Sequence, residues 1–135
     1  MDYFSKPFLI RYCETDKMGF VHHSNFLKYL EIARLEWLKK KGVSYLEMEK
    51  NGIIMPLVDA KIKYIHPAYF DDLIKIRVKL EKSPVVKMEL SYIVINQDDK
   101  ILCKASTTLC FLNSKTLKPF RCPKFLIDAF KNKIT

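Results

Sequence analysis

SNFLKYLEIARLEWLKKKG, residues 24–42, is the stretch on which the fold turns. Ser24 and Asn25 both suit a helix N-cap, because their side-chain oxygens accept backbone N–H groups that the first helical turn leaves free. Apolar residues at Phe26, Leu27, Leu30, Ala33, Trp37 and Leu38 then recur at helical spacing until Gly42, which tolerates the left-handed conformation that ends a helix. Tyr29, Ile32 and Leu35 lie off that stripe and widen it, leaving charge at Lys28, Glu31, Arg34, Glu36 and the run Lys39, Lys40 and Lys41. A helix so apolar around its girth is predicted to be mostly enclosed. One large apolar surface is needed to enclose it.

Downstream the hydrophobic period drops from about 3.6 to 2. IIMPLVDAKIKYIHP (53–67) sets Val58, Ala60, Ile62 and Tyr64 against Asp59, Lys61 and Lys63, and LIKIRVKLEK (73–82) sets Ile74, Ile76, Val78 and Leu80 against Lys75, Arg77 and Lys79. VVKMELSYIVIN (85–96) and KILCKASTTLCFLN (100–113) continue the alternation. The joints at Ser83–Pro84 and at Asn96–Lys100 are short, so these strands are predicted to be antiparallel hairpins. A curved antiparallel sheet wrapped around a long central helix, an α+β arrangement, satisfies helix and strands together. Residues 43–52 read as a short second helix closed by Asn51 and Gly52, and PKFLIDAFKN as a closing helix with Pro123 at its first position. Upstream, Phe4 to Tyr12 reads as one short strand and residues 13–23 as a loop.

The 135 residues suit one domain spanning 1–135, with 49% apolar residues and no composition of the disordered kind. No window reaches the roughly 18 apolar residues of a membrane span, and nothing reads as a secretory leader. Cys13, Cys103, Cys110 and Cys122 form no CxxC pair and read as reduced thiols, so a cytoplasmic setting is expected. A net charge of +9 points to an anionic partner, although lysines are spread through nearly every segment. A nucleic-acid-binding domain would need those lysines gathered into a stripe, and none is expected.

Loop 13–23 brings Asp16 and His23 to the N-terminal end of the helix, where free N–H groups and about half a positive charge can hold a developing oxyanion. One positioned donor of that kind is worth about 3 kcal/mol, and general-base assistance roughly 10²–10⁴-fold. Such sparse equipment suits a thioester or activated ester better than an amide. An ionised aspartate suits direct attack on the carbonyl, whereas activation of water favours a raised pKa, and both remain open. On the residues alone Asp16 reads first as the cap of a turn, and Asn25 as an N-cap. Glu31 and Arg34, three apart, form an ion pair by default. His22, His23, Asp16 and Cys13 fit no zinc spacing, so no metal is expected.

RYCETDKMGFVHHSNFLKYLEIAR, residues 11–34, resembles the opening motif of the 4-hydroxybenzoyl-CoA thioesterase family, R-x-x-x-T-D-x-x-G-x-V-x-H-x-N-[YF]-x-x-[YF]-x-E-x-A-R. Every defined position matches, from Arg11, Thr15 and Asp16 to Ala33 and Arg34. Pro67, Ala68, Phe70, Asp71 and Asp72 resemble the family's P-A-x-[YF]-D-D segment, so the likeness covers most of the chain. The resemblance implies the hot dog fold and hydrolysis of an acyl-CoA thioester, with CoA as part of the substrate and no other cofactor. It implies homo-oligomers, dimers or tetramers of hot dog dimers, with active sites at the subunit interface. Asp16 falls on the catalytic carboxylate, and the backbone N–H near His23 on the oxyanion donor, while the His23 ring assists proton transfer, orients Asp16 or closes the pocket. Gly19, Val21, Asn25 and Glu31 are assigned to substrate binding, and Lys82, Ser83 and Arg121 to the CoA phosphates. His22 departs from the tyrosine common among relatives, which leaves the acyl pocket's character open. An acyl carrier protein is the alternative acyl donor, and an acyl-binding module without turnover the alternative function.

Overall fold

The computed structural model describes residues 2–132. The long helix, α1, runs Asn25–Lys40 and buries Phe26, Tyr29, Leu30, Ala33, Trp37 and Leu38. At its C-terminus Gly42 takes φ +84°, which turns the chain back so that the Val43 N–H reaches the Leu38 carbonyl at 2.9 Å. Ser44 caps the second helix, α2 (Tyr45–Lys50), by accepting the Glu47 N–H at 3.2 Å. The enclosure of α1 is one-sided in this chain, since Leu27, Ile32 and Leu35 remain exposed.

The main sheet has the order β1–β5–β6–β7–β4, all neighbours antiparallel, from β1 (Tyr3–Phe4), β4 (Leu57–Tyr64), β5 (Leu73–Leu80), β6 (Lys87–Ile95) and β7 (Ile101–Cys110). The strand β2 (Phe8–Leu9) also pairs with β5, and β3 (Ile53–Ile54) pairs with β8 (Leu112–Asn113). Irregularities between Leu57 and Asp59 and between Val94 and Ile95 bend the sheet as bulges do. Its inner side, including Ile76, Val78, Leu90 and Tyr92, is buried together with the inner face of α1. This is the wrapped-helix arrangement that the periodicities predict.

Several local expectations are corrected. The single strand from Phe4 to Tyr12 is broken at Ser5–Pro7, because Pro7 has no N–H for a ladder and Ser5 turns inward to bond the Ile76 N–H through its hydroxyl at 2.9 Å. Tyr12–Glu14 then form a 3-10 turn, held by the Glu14 carboxylate on the Arg11 amide at 2.8 Å. Pro123 caps the last helix, α3 (Lys124–Phe130), rather than opening it. Arg34 forms no pair with Glu31 among the described residues. It donates to the Tyr92 hydroxyl at 3.3 Å, and that hydroxyl shares a second hydrogen bond with Thr107 Oγ1 at 2.7 Å.

Lys41 completes the lysine run yet is only 8% exposed. Its ammonium holds the carbonyls of Phe130 and Asn132 at the end of α3, and burial pulls its pKa below the usual lysine range. On the outer side of α1, Glu36 accepts the Tyr3 hydroxyl at 2.6 Å and the Lys6 N–H at 2.9 Å, tying the N-terminal segment to the helix. Burial and this neighbouring carboxylate push the Tyr3 phenol well above its ordinary range. Glu36→Ala is expected to cost about 1–2 kcal/mol, since two bonds to a charged acceptor are lost at a part-exposed site. Urea unfolding of Glu36→Ala, Tyr3→Phe and the double variant should show non-additive losses.

One strand departs from the pattern as a whole. The apolar side chains of β4 were expected to face the core, yet Val58 is 51% and Tyr64 49% exposed. The reason is position: β4 is the sheet's edge beyond β7, and no element among the described residues covers it.

Candidate active site

The loop before α1 is a tight hairpin. Thr15 and Val21 form a bridge, the Asp16 N–H donates to the Phe20 carbonyl at 2.9 Å, and Gly19, at φ +90°, donates to the Asp16 carbonyl at 3.1 Å. Only a glycine takes that φ without strain, which is why the turn closes there. The Glu14 carbonyl anchors the loop to the helix by accepting the His22 N–H at 2.9 Å and the Asn25 side-chain amide at 2.8 Å. Burial pushes the Glu14 carboxyl up, but the bonds from Arg11 outweigh it and leave its pKa below the usual range. The Val21 N–H donates to the Ala68 carbonyl at 2.8 Å, joining this loop to the one after β4.

Between the two loops lies a cleft of about 380 Å³, walled by Asp16, Phe20, His23, Phe26, Tyr64 and His66. One Asp16 oxygen, Oδ1, accepts the Met18 N–H at 2.9 Å, so the turn-capping reading holds for that atom. The other, Oδ2, has no partner among the described residues. At the helix N-terminus the amides of Ser24, Asn25 and Phe26 are taken up by His22 Nδ1 (3.2 Å) and by the carbonyls of His22 (3.0 Å) and His23 (3.3 Å). Ser24, the N-cap, contributes no side-chain cap bond, and its hydroxyl pairs with His22 Nδ1 at 2.8 Å. The His23 amide alone of this group donates to nothing among the described residues. Asp16, with one carboxylate oxygen free of partners among the described residues, and His23, with its amide likewise free, thus line one largely apolar cleft at the tip of α1.

The His22 and His23 rings stack at 4.1 Å, the Tyr64 hydroxyl donates to the His23 carbonyl at 3.1 Å, and the Phe26 and Tyr64 rings meet edge-on at 5.4 Å. Cys103 is the cross-strand neighbour of Tyr64, but burial pushes its thiol up to about 11. It stays protonated at neutral pH and is not a nucleophile here.

Of the residues singled out from sequence, Asp16, Val21 and His23 line this cleft, and Gly19 shapes its loop. Asn25 is engaged with the loop backbone, and Glu31 stands exposed on α1. Lys82 and Ser83 line a separate hollow beside Trp37, Lys41 and Phe130, where Lys82 pairs with Glu89 at 3.7 Å. Arg121 is exposed ahead of α3 and is not in the cleft. Tyr64 and His66 are additions from the structure; the chain's scarcity of histidines, three in all, is the only sequence signal for the second. A larger hollow of about 620 Å³ beside Leu35, Val43 and Leu46 contains no carboxylate, imidazole or thiol.

The sequence profile of the thioesterase-like superfamily matches residues 10–130. A provisionally named esterase of Aquifex aeolicus is 35% identical over 93% of this chain and 99% of its own. Among solved structures, a DHNA-CoA thioesterase from Staphylococcus aureus superposes with a TM-score of 0.89 at 31% identity, over 96% of this chain and 88% of that one. The acyl-CoA thioester hydrolase YbgC of Escherichia coli is 23% identical over 95% of this chain and 96% of its own.

Proposed function

The chain belongs to the thioesterase-like superfamily, and from that premise we propose that it hydrolyses acyl-CoA thioesters to the free acid and coenzyme A. The observation that supports this most is that Asp16, with one oxygen unpartnered among the described residues, and His23, with its amide likewise unpartnered, line the same cleft. In this reading the thioester carbonyl oxygen takes the His23 N–H at the positive end of α1, and Asp16 acts on the carbonyl carbon as nucleophile or as base. The acyl group lies against Phe20, Val21 and Phe26. The thioester hydrolases among its relatives support the same reaction class.

The working unit is a homo-oligomer. Eight residues of β4 offer an unpaired edge and exposed apolar side chains, which a second copy pairing antiparallel would cover. Tyr64, the last residue of that strand, lines the cleft, so the partner would lie beside the reacting group. Lys82, Ser83 and Arg121, which lie outside the cleft in one chain, meet the CoA phosphates in this reading from a neighbouring copy. Sedimentation should give a mass of at least two chains, and Val58→Glu should shift it toward one. A wild-type protein that sediments as one chain would remove the dimer from the proposal.

Thiol release from short, long and aromatic acyl-CoAs, beside acyl groups on a carrier protein, tests the reaction and names the donor. Turnover only on the carrier would move the assignment to that acidic partner, which the +9 charge also suits. Acyl-CoA binding without release in wild type would identify a binding module.

A further inference from the structure

The chain has three histidines and all of them meet at this cleft: His23 and His66 line it, and His22 stacks on His23. His66 is the one held for use. It follows β4, where the Ile65 and His66 amides both donate to the Leu102 carbonyl, at 2.9 and 3.1 Å, and Pro67 after it restricts the backbone to extended conformations. Its ring Nδ1 lies 3.0 Å from the Ile101 carbonyl. A carbonyl only accepts, so Nδ1 carries the proton, and in the neutral ring Nε2 is left with its lone pair. Nε2 has no partner among the described residues. An imidazole whose tautomer is held by a second group, with its other nitrogen free and its residue lining the same cleft as Asp16, is the arrangement of a general base.

We infer that His66 is the base that activates the hydrolytic water, which leaves Asp16 as the nucleophile. This rests on the hydrolase reading above. Asp16 Oδ2 bonds to the acyl carbon, the carbon–sulfur bond breaks, and the thiolate leaves with the electron pair. Nε2 then takes a proton from water as the water oxygen bonds to the acyl carbon of the mixed anhydride. The bond to Asp16 breaks, the carboxylate is regenerated, and the proton on Nε2 passes to the thiolate. One thioester and one water become one acid and one thiol.

His66→Asn is the informative variant, because the asparagine amide keeps a donor for the Ile101 carbonyl and removes Nε2. Rapid-mixing thiol release should show a burst of about one thiol per chain followed by steady turnover roughly 10²–10⁴-fold slower than wild type. Asp16→Asn should show no burst. Wild-type turnover should fall toward acid between pH 5 and 8, because a base must be unprotonated to take the proton of water, and the slow phase of His66→Asn should lose that fall. Asp16, His23 backed by His22, and the Tyr64 hydroxyl face the same cleft, so His23→Gln is the control and should keep that fall. A thermal melt close to wild type shows that the variant is folded. Wild-type turnover in His66→Asn, or a slow rate without a burst, would overturn the assignment to His66. Absence of thiol release from wild type would instead sink the hydrolase reading.

Discussion

Asp16→Asn should lower kcat on acyl-CoA by roughly 10³-fold or more and leave substrate binding nearly unchanged. Asparagine has the shape of aspartate, and its Oδ1 can still accept the Met18 N–H that shapes the turn. What goes is the charge on the unpartnered oxygen, and with it both nucleophile and base strength. The His23 amide and the apolar wall remain, so the ground-state complex persists while the reaction stalls. Thiol release measured beside calorimetric binding of an acyl-CoA separates the two quantities. An Asp16→Asn protein that turns over like wild type would remove the carboxylate from the chemistry.

Trp37→Ala is expected to have the largest effect on stability. Trp37 is 1% exposed and stacks on Phe130 with ring centroids 5.3 Å apart. Truncating a buried tryptophan costs about 3–5 kcal/mol, a large share of the roughly 5–15 kcal/mol that holds a domain folded. The loss also loosens α3, whose last carbonyls Lys41 holds from the end of α1. Thermal unfolding should shift down by roughly 10–20 °C. Trp37 sits eleven residues along α1 from Phe26, about 16 Å at 1.5 Å per residue, so the folded fraction should keep its kcat in the cold. A shift of only a few degrees would mean that the Trp37–Phe130 stack contributes little.

The helix and the strands were legible because their signals are local. Leu30, Ala33 and Trp37 fall on one side of any α-helix, and Ile76 and Val78 on one side of any strand, wherever the chain goes next. The loop of residues 13–23 and the place of Asp16 on it were readable through its polar composition and the dense motif of residues 11–34, whereas its closure as a hairpin at Gly19 was not. Arg34 and Thr107 were misleading or silent: a long cation has many partners within reach, and an inward threonine looks like an outward one until Tyr92 supplies its bond. The inward turn of Ser5, the separation of Lys82 and Ser83 from the cleft, and the orientation of His66 depend on residues far away in the chain.

By itself, then, the order of residues determined a wrapped helix, an antiparallel sheet and the loop bearing Asp16, since each follows from spacing between near neighbours. Only the tertiary structure decided that β4 is an uncovered edge, that the His23 amide is the spare donor at the helix tip, and that the Ile101 carbonyl leaves Nε2 of His66 free. Which strand ends a sheet, and which polar atom goes without a partner, depends on what the rest of the folded chain brings within hydrogen-bonding distance.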